Sequence, residues 1–319
     1  MGYPVHGASD GTLFVEMSND TITPFAVQDL FSISEDAKVT KIQRRVPDDM
    51  DQAVFRDVYA SDSLVASLLS ARPRKRSPDE RPSRETDYFI CLSKRDGTFE
   101  KLISLKDLNF QPFKIAVLES GRFYAAGVDK INKTPVLAML DSDGQYLRPV
   151  TLDNRPFDNS KSLQAIYPIH EPGAREGEAA IGSSGFVPFG DRTLFYVPGA
   201  RLPVHILGEG GEENSIPVHL PGDYLIETIL PCAKNDTWVA RAQEVLGFAQ
   251  MQSAGLISNP QQALFEVGPF DGNALRRLDI SGVVPSMVDT AANKKLVGLR
   301  QTSDMQKSPA AWSIIEHDR

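Results

Sequence analysis

Residues 113–152 read FKIAVLESG (113–121), RFYAAGVD (122–129), TPVLAMLDSDG (134–144) and QYLRPVTL (145–152). Each run is rich in aliphatic, β-branched and aromatic residues, which suit the pleated, half-buried surface of a strand. Each is bounded by Ser-Gly, Asp-Gly or an Asp/Asn cluster, the residues that turn a chain tightly and tolerate positive φ. The stretch therefore predicts four consecutive antiparallel strands, A to D, joined by hairpins.

Working outward, the same order recurs. YPVHGASDG, TLFVEMSND, FAVQDLFSISED and AKVTKIQ precede it as a first copy, and AVFRDVYASD, SLVASLLSA, TDYFICLSKRDG and TFEKLISL form a second. SSGFVPFGD, RTLFYVPGA, LPVHILGEGG and ENSIPVHL form a fourth, and TILPCAKND, TWVARAQEV, QALFEVGPFDG and NALRRLDI a fifth. A sixth offers PSMVDTAANK, KLVGLRQTSD and PAAWSIIEHDR, with strand D missing. About 50 residues per unit suits a four-stranded propeller blade. The expectation is an all-β, six-bladed β-propeller forming a single domain over 1–319, with blades near 1–43, 52–105, 110–152, 180–220, 224–280 and 284–319. Its last blade is expected either to lack the outer strand or to receive it from a segment upstream of Met1, which would also be the place for an export signal to periplasm or exterior. A short helix is expected within 244–257, where the apolar spacing changes.

The segment YPVHGASDGTLFVEMSNDTI resembles the NHL-type repeat of six-bladed propellers, through Pro4, Gly7, Gly11, Val15, Asn19 and Ile22. The likeness of motif is confined to the first copy; the likeness of architecture, NHL-like or TolB-like, runs through the chain. The resemblance implies a scaffold whose relatives include binding proteins, calcium-assisted lactonases and peptide-amide lyases, and fold alone does not choose among them.

Composition narrows the partners. A net charge of −8 over 319 residues repels phosphate backbones, so nucleic acid is not an expected partner. No apolar run reaches the length of a membrane span. The two cysteines, Cys91 and Cys232, fall on an outer-type strand of the second copy and an inner-type strand of the fifth, too far apart for a disulfide.

The connections divide sharply by type. A-to-B and C-to-D turns are short, as at Asp10-Gly11, Ser120-Gly121, Asp96-Gly97, Asp143-Gly144, Gly210-Gly211 and Asp271-Gly272. The long insertions, 72–85, 153–179 and 246–261, are all B-to-C or D-to-A connections, which leave a propeller on the opposite face. Three elaborated loops on one face mark it as the expected binding surface. The first, RPRKRSPDERPSRE, is too charged and Pro-rich to bury a core. The second carries Phe157, Tyr167, His170 and Arg175, candidates for stacking on a sugar or peptide. Arg241 and Arg300, at the ends of B strands, are candidates for carboxylate recognition.

Sites of known chemistry find little support. None of the five histidines has a metal-type spacing, GEGGEEN at 208–214 is followed by a strand-like run where a phosphate loop needs a helix, and GSSG at 182–185 lacks the nucleophile-elbow spacing. N-x-T sequons start at Asn19, Asn132 and Asn235. A divalent cation such as Ca²⁺ would need oxygen ligands converging on the channel; Asp57, Glu227 and Asp289 are the candidates, with His6 as a base. The leading expectation is a non-enzymatic scaffold for a protein, peptide or glycan. The alternative is a divalent-metal-assisted hydrolase or lyase at the channel mouth.

Overall fold

The computed structural model describes residues 5–18, 28–74, 86–131, 134–152, 181–198, 202–222, 224–231, 237–244, 261–279, 290–291, 295–301 and 312–318. They form successive antiparallel sheets, five of them built from four strands adjacent in sequence. The first blade is β1 (Val5–Gly7), β2 (Leu13–Ser18), β3 (Gln28–Ile33) and β4 (Val39–Ile42). The second is β5 (Met50–Ala60), β6 (Leu64–Pro73), β7 (Asp87–Lys94) and β8 (Phe99–Ser104). The third is β9 (Phe110–Val117), β10 (Phe123–Asp129), β11 (Pro135–Leu140) and β12 (Tyr146–Pro149). The fourth is β13 (Gly185–Phe189), β14 (Arg192–Tyr196), β15 (Val204–Leu207) and β16 (Glu213–Ile216). The fifth is β17 (Tyr224–Leu230), β18 (Trp238–Glu244), β19 (Gln262–Val267) and β20 (Ala274–Leu278).

The chain is thus an all-β propeller of four-stranded antiparallel blades, and five blades are complete where six were expected. After the fifth blade comes a two-stranded sheet, β21 (Lys295–Gln301) paired with β22 (Trp312–Asp318). On its axial side the expected strand A contributes, among the described residues, a single bridge of Thr290 to Val297. Of the residues carrying the NHL likeness, Gly11 takes φ +87° in the first A-to-B turn and Val15 pairs with Val5; Pro4, Asn19 and Ile22 lie outside the described residues. The helix expected within 244–257 falls almost wholly outside them too; Glu244 closes β18.

Middle strands are apolar on both sides because both faces of a blade are covered by its neighbours. Every residue of β10 except Asp129 is buried, and so is the run of β6 from Val65 to Ala71, where Ala66-Ser67 and Ser70-Ala71 flank Leu68-Leu69. Outer strands read differently: all of β12 is exposed. Cys91, in β7, is a buried free thiol whose Sγ accepts from the Arg45 N–H at 3.3 Å; burial pushes its pKa up.

The C-to-D turns do two jobs. Gly97, Gly144, Gly211 and Gly272 all have positive φ, at +92°, +79°, +82° and +66°. Each also lies against the outer strand of the preceding blade, or the residues just beyond its end: Gly97 on the Lys41 carbonyl, Gly144 on Ile103 and Leu105, Gly211 on Arg148, Gly272 on Ile216 and Pro217. A Cβ on Gly144 would stand 2.7 Å from Ile103 Cγ2. Side chains of the outer strand then reach over the turn. Lys101 Nζ donates to Ser142 O at 2.5 Å and lies 3.5 Å from Asp143, and Arg148 donates to Gly210 O.

Ring closure falls to Thr290. Its side chain is wholly buried, with Oγ1 2.9 Å from Ala8 O of the first blade and 3.0 Å from Pro231 O beyond the fifth. The hydroxyl has one proton to share between these two carbonyls. Ala291 N–H donates to Pro231 O as well, at 2.8 Å.

Candidate functional site

Inner strands of five blades surround a cavity of about 240 Å³ on the propeller axis. Its wall carries His6 from β1, Asp57 from β5, Lys114 from β9, Phe186 from β13 and Thr228 from β17, with Tyr196 and Arg241 reaching in from β14 and β18.

One local device places three of these polar side chains. In β5 the pairing steps from Phe55–Leu69 to Asp57–Leu68, leaving Arg56 as an extra residue. In β9 the partners of Gly127 and Ala126 are Pro112 and Lys114, skipping Phe113. In β17 pairing passes from Ile226–Ala242 to Thr228–Arg241, skipping Glu227. A β-bulge re-aims the side chains that follow it. Asp57, Lys114 and Thr228 each come immediately after the skipped residue, and all three face the axis. The skipped polar residues interact within their own blades: Arg56 Nε donates to Ser70 Oγ at 2.9 Å, and Glu227 Oε2 accepts from Gln262 Nε2 at 2.8 Å and lies 3.5 Å from Arg241 Nε.

The charges on the wall are arranged in opposed pairs. Asp57 Oδ2 accepts from the Ile115 N–H at 2.9 Å, while Lys114 Nζ stands 3.8 Å from Oδ1, beyond hydrogen-bond reach. Burial drives the Asp57 pKa up to about 6 against the pull of Lys114 and the Ile115 amide. Burial also lowers His6 to about 4, with Lys114 and Arg44 adding to the effect, so the imidazole is neutral at pH 7. Arg44 itself is nearly buried, 2.6 Å from Glu16 Oε1 and stacked 3.5 Å over the Phe55 ring. Thr228 Oγ1 donates to Tyr196 OH at 2.9 Å across the seam between the fourth and fifth blades.

The end of the channel bearing the short A-to-B turns is tied across. Tyr59 OH and Thr193 Oγ1, both buried and both near A-to-B turns, lie 3.0 Å apart and join the second blade to the fourth. Burial pushes the Tyr59 hydroxyl above the ordinary phenol range. Thr290 draws the fifth blade to the first at the same end. The long insertions leave from the other end: 75–85 joins β6 to β7, 153–180 joins the third blade to the fourth, and 245–260 joins β18 to β19.

Of the residues singled out in the sequence, Asp57 and Arg241 meet at this cavity and Glu227 stands beside Arg241. His6 lines the wall. Arg300 lies on β21. Asn19, Phe157, Tyr167, His170, Arg175, Cys232 and Asp289 lie outside the described residues. Among the described residues, no three His, Cys, Asp or Glu side chains are grouped as a metal site. Among them also, no helix is long and apolar enough to cross a membrane.

Sequence reasoning missed Lys114, Thr228 and Tyr196. A signal for the first two was present: Asp57, Lys114 and Thr228 each head a run of three apolar residues, VYA, IAV and ILP.

No protein-family model matches the chain, and no curated protein matches it by sequence. Among solved structures it is similar to a DUF4623 family protein from Bacteroides eggerthii, at 11% identity and TM-score 0.46, over 99% of this chain and 68% of that one. It is also similar to Trypanosoma rangeli sialidase, at 8% identity and TM-score 0.45, over 98% and 54%. A third is the GH43 protein BlXynB from Bacillus licheniformis, at 11% identity and TM-score 0.39, over 88% and 58%. The chain spans little more than half of the sialidase and of the GH43 protein. These likenesses are too distant to carry an argument, and the propeller assignment stands on the sheet order itself.

Proposed function

We propose that this chain is a non-enzymatic binding propeller that takes a protein, peptide or glycan on its long-connection face and seats a small polar group of that ligand in the axial cavity. The observation that carries the reading is the set of three bulges at one level, in three blades, which turn an acid, a base and a hydroxyl toward one void. A bulge weakens the ladder it interrupts, so three in register are better accounted for by what they aim at than by sheet stability. The cavity, at about 240 Å³, suits a group the size of a monosaccharide ring or a peptide terminus, and it offers donors and acceptors of both polarities. Phe157, Tyr167, His170 and Arg175 in the longest connection, with Arg241 and Arg300, would supply the outer contacts.

Six sectors, in the NHL-like arrangement, are part of the same proposal. The contacts of Thr290 with both the first and the fifth blade support the two-stranded sheet as the sixth sector of the ring.

The reading is tested by screening the chain on peptide and glycan arrays, then repeating with Lys114→Met and Thr228→Val. Hits should weaken at least tenfold in both variants, and should vanish when residues 154–178 are replaced by a short Gly-Ser bridge. Hits indifferent to all three changes would refute it. The alternative, a hydrolase or lyase assisted by a divalent cation, keeps one support in Asp57, whose raised pKa suits an acid in a cleft. Stoichiometric metal in the purified protein together with hydrolytic turnover lost in Asp57→Asn would favour it instead.

A further inference from the structure

The wall of the axial cavity changes character with depth. Each inner strand runs from the long-connection face toward the A-to-B end, so chain order along it is depth in the channel. Asp57, Lys114 and Thr228 come first, half-buried, and make a polar collar. Val58, Ala60, Pro188, Leu230 and Pro231 lie nearer the turns; all five are buried and all border the cavity. The hydrogen bond of Tyr59 with Thr193 ties the channel at that end. A ligand entering from the long-connection face therefore meets charge first and hydrocarbon below it.

The collar is electropositive. Among the described residues, Lys114 and Arg241 border the cavity, and Asp57 is the one acid that does so. Arg241 has Glu227 beside it at 3.5 Å. Lys114 Nζ faces Asp57 Oδ1 across 3.8 Å, too far for a hydrogen bond, while Asp57 Oδ2 takes the Ile115 N–H. The sign of the field shows at His6, whose imidazole is kept neutral by burial, with Lys114 and Arg44 pushing the same way. Tyr196 OH accepts from Thr228 Oγ1 and has its own proton to donate at the cavity wall. Positive potential between low-dielectric walls concentrates an anion.

We infer that the cavity captures the C-terminal residue of a peptide, with its carboxylate held at the collar by Lys114 and its aliphatic side chain on the apolar floor. The inference rests on the binding reading proposed above and narrows it. A uronic acid would bring the same carboxylate, but its ring would set hydroxyls against Val58, Leu230 and Pro231, where nothing apolar can pair them. Asp57 is compatible with an incoming carboxylate. Burial already lifts its pKa to about 6, so a second negative charge at Lys114 leaves Asp57 protonated. The other charges that act on this group of residues, Glu16 and Arg44, are paired with each other at 2.6 Å.

The test titrates the full chain at pH 7 with acetyl-Gly-Gly-Leu, its C-terminal amide, acetyl-leucine and glucuronate, by calorimetry in two buffers of different ionisation enthalpy. The tripeptide acid should bind saturably with uptake of a proton, and the amide at least about tenfold more weakly, the size of one charge-assisted hydrogen bond. Lys114→Met should bring the acid down to the level of the amide while changing the amide far less, and Lys114→Arg should keep the preference for the acid. Asp57→Asn should tighten the acid and abolish the proton uptake. Absence of binding at millimolar tripeptide, or equal binding of acid and amide, would overturn the inference. So would glucuronate or acetyl-leucine binding as tightly as the tripeptide, which would give the cavity to an acidic sugar or to a free acid. Failure of the broader reading looks different, since array hits would then be indifferent to Lys114→Met. Failure of this inference alone leaves hits that need Lys114 and ignore the C-terminal charge.

Discussion

The C-to-D turns of the third and first blades share a hydrogen-bond pattern, Gly144 N–H to Asp141 O in one and Ala37 N–H to Ser34 O in the other, both with positive φ at the donor, and differ in what surrounds them. Gly144 is pressed onto Ile103 and Leu105 of the second blade, while Ala37 projects into solvent. The difference teaches what a glycine does at such a place. Positive φ alone can be met by alanine at a cost of about 1 kcal/mol; it is the approach of the neighbouring blade that excludes a Cβ. A turn glycine in this fold is thus a record of a filled seam.

The largest effect should come from filling the closed seam. Gly144→Val places a branched side chain in the left-handed region and into the Ile103–Leu105 contact, so strain and overpacking act together. A loss of about 3 kcal/mol or more in urea unfolding is expected. Ala37→Val, with φ also positive at +59° but no described neighbour, should lose about half as much. Equal losses would show that conformation, and not packing, governs the difference.

A second contrast lies inside the channel, where two partly buried groups titrate in opposite senses. Asp57 has a folded pKa of about 6, above its ordinary 3.8. The folded state therefore holds that proton more tightly, and the stabilisation is present below pH 3.8 and lost as pH rises through 6. His6 has a folded pKa of about 4, below its ordinary 6.5. Its contribution is present above pH 6.5 and lost as pH falls through 4. Each shift spans roughly two units, about 3 kcal/mol, so between pH 4 and 6 the two slopes largely cancel. Asp57→Asn should expose the histidine slope, with stability falling by about 3 kcal/mol on acidification from pH 6.5 to 4. His6→Gln should show the reverse, stability rising as the solution is acidified. Parallel pH profiles for wild type and both variants would remove these two residues from the buried channel.

Thr290→Val sharpens the comparison of seams from the other side. The substitution keeps the shape and removes the one proton shared by Ala8 O and Pro231 O. Pro231 O retains the Ala291 N–H and Ala8 O the Gly11 N–H, so neither carbonyl is left without a donor, and a loss of about 1 kcal/mol is expected in thermal or urea unfolding.

Much of this was readable from the chain because turns and strands are local. The Asp-Gly and Ser-Gly punctuation of 113–152 predicted the third blade's strands closely, and the same punctuation located four further blades. The bulges were not, because the extra residue is Arg56 in one strand, Phe113 in another and Glu227 in a third, with no shared chemistry to flag them. That single-residue slip decides which of two neighbours faces the axis. It put Thr228 on the cavity wall where the sequence had proposed Glu227. Nor could the sequence reveal the ion pair of Glu16 with Arg44, since residues 28 positions apart meet only when the strands are laid side by side. The alanine in SISEDAKV was visible all along beside DG or GG in the other copies, but its meaning depended on knowing that the glycine packs against a neighbouring blade.

The smallest change isolates that meaning. Ala37→Gly removes one exposed methyl group and touches no described neighbour, so packing contributes nothing to its effect. Two terms remain and oppose each other: glycine relieves the left-handed strain of about 1 kcal/mol, and it raises the entropy of the unfolded chain by slightly less. Stability should therefore change by no more than about 0.5 kcal/mol, with a gain the favoured sign. At Gly144 the reverse substitution, to Ala, meets strain and contact together and should cost several times as much. If Ala37→Gly were to destabilise the protein by more than about 1 kcal/mol, the methyl group would have to be in contact with something outside the described residues.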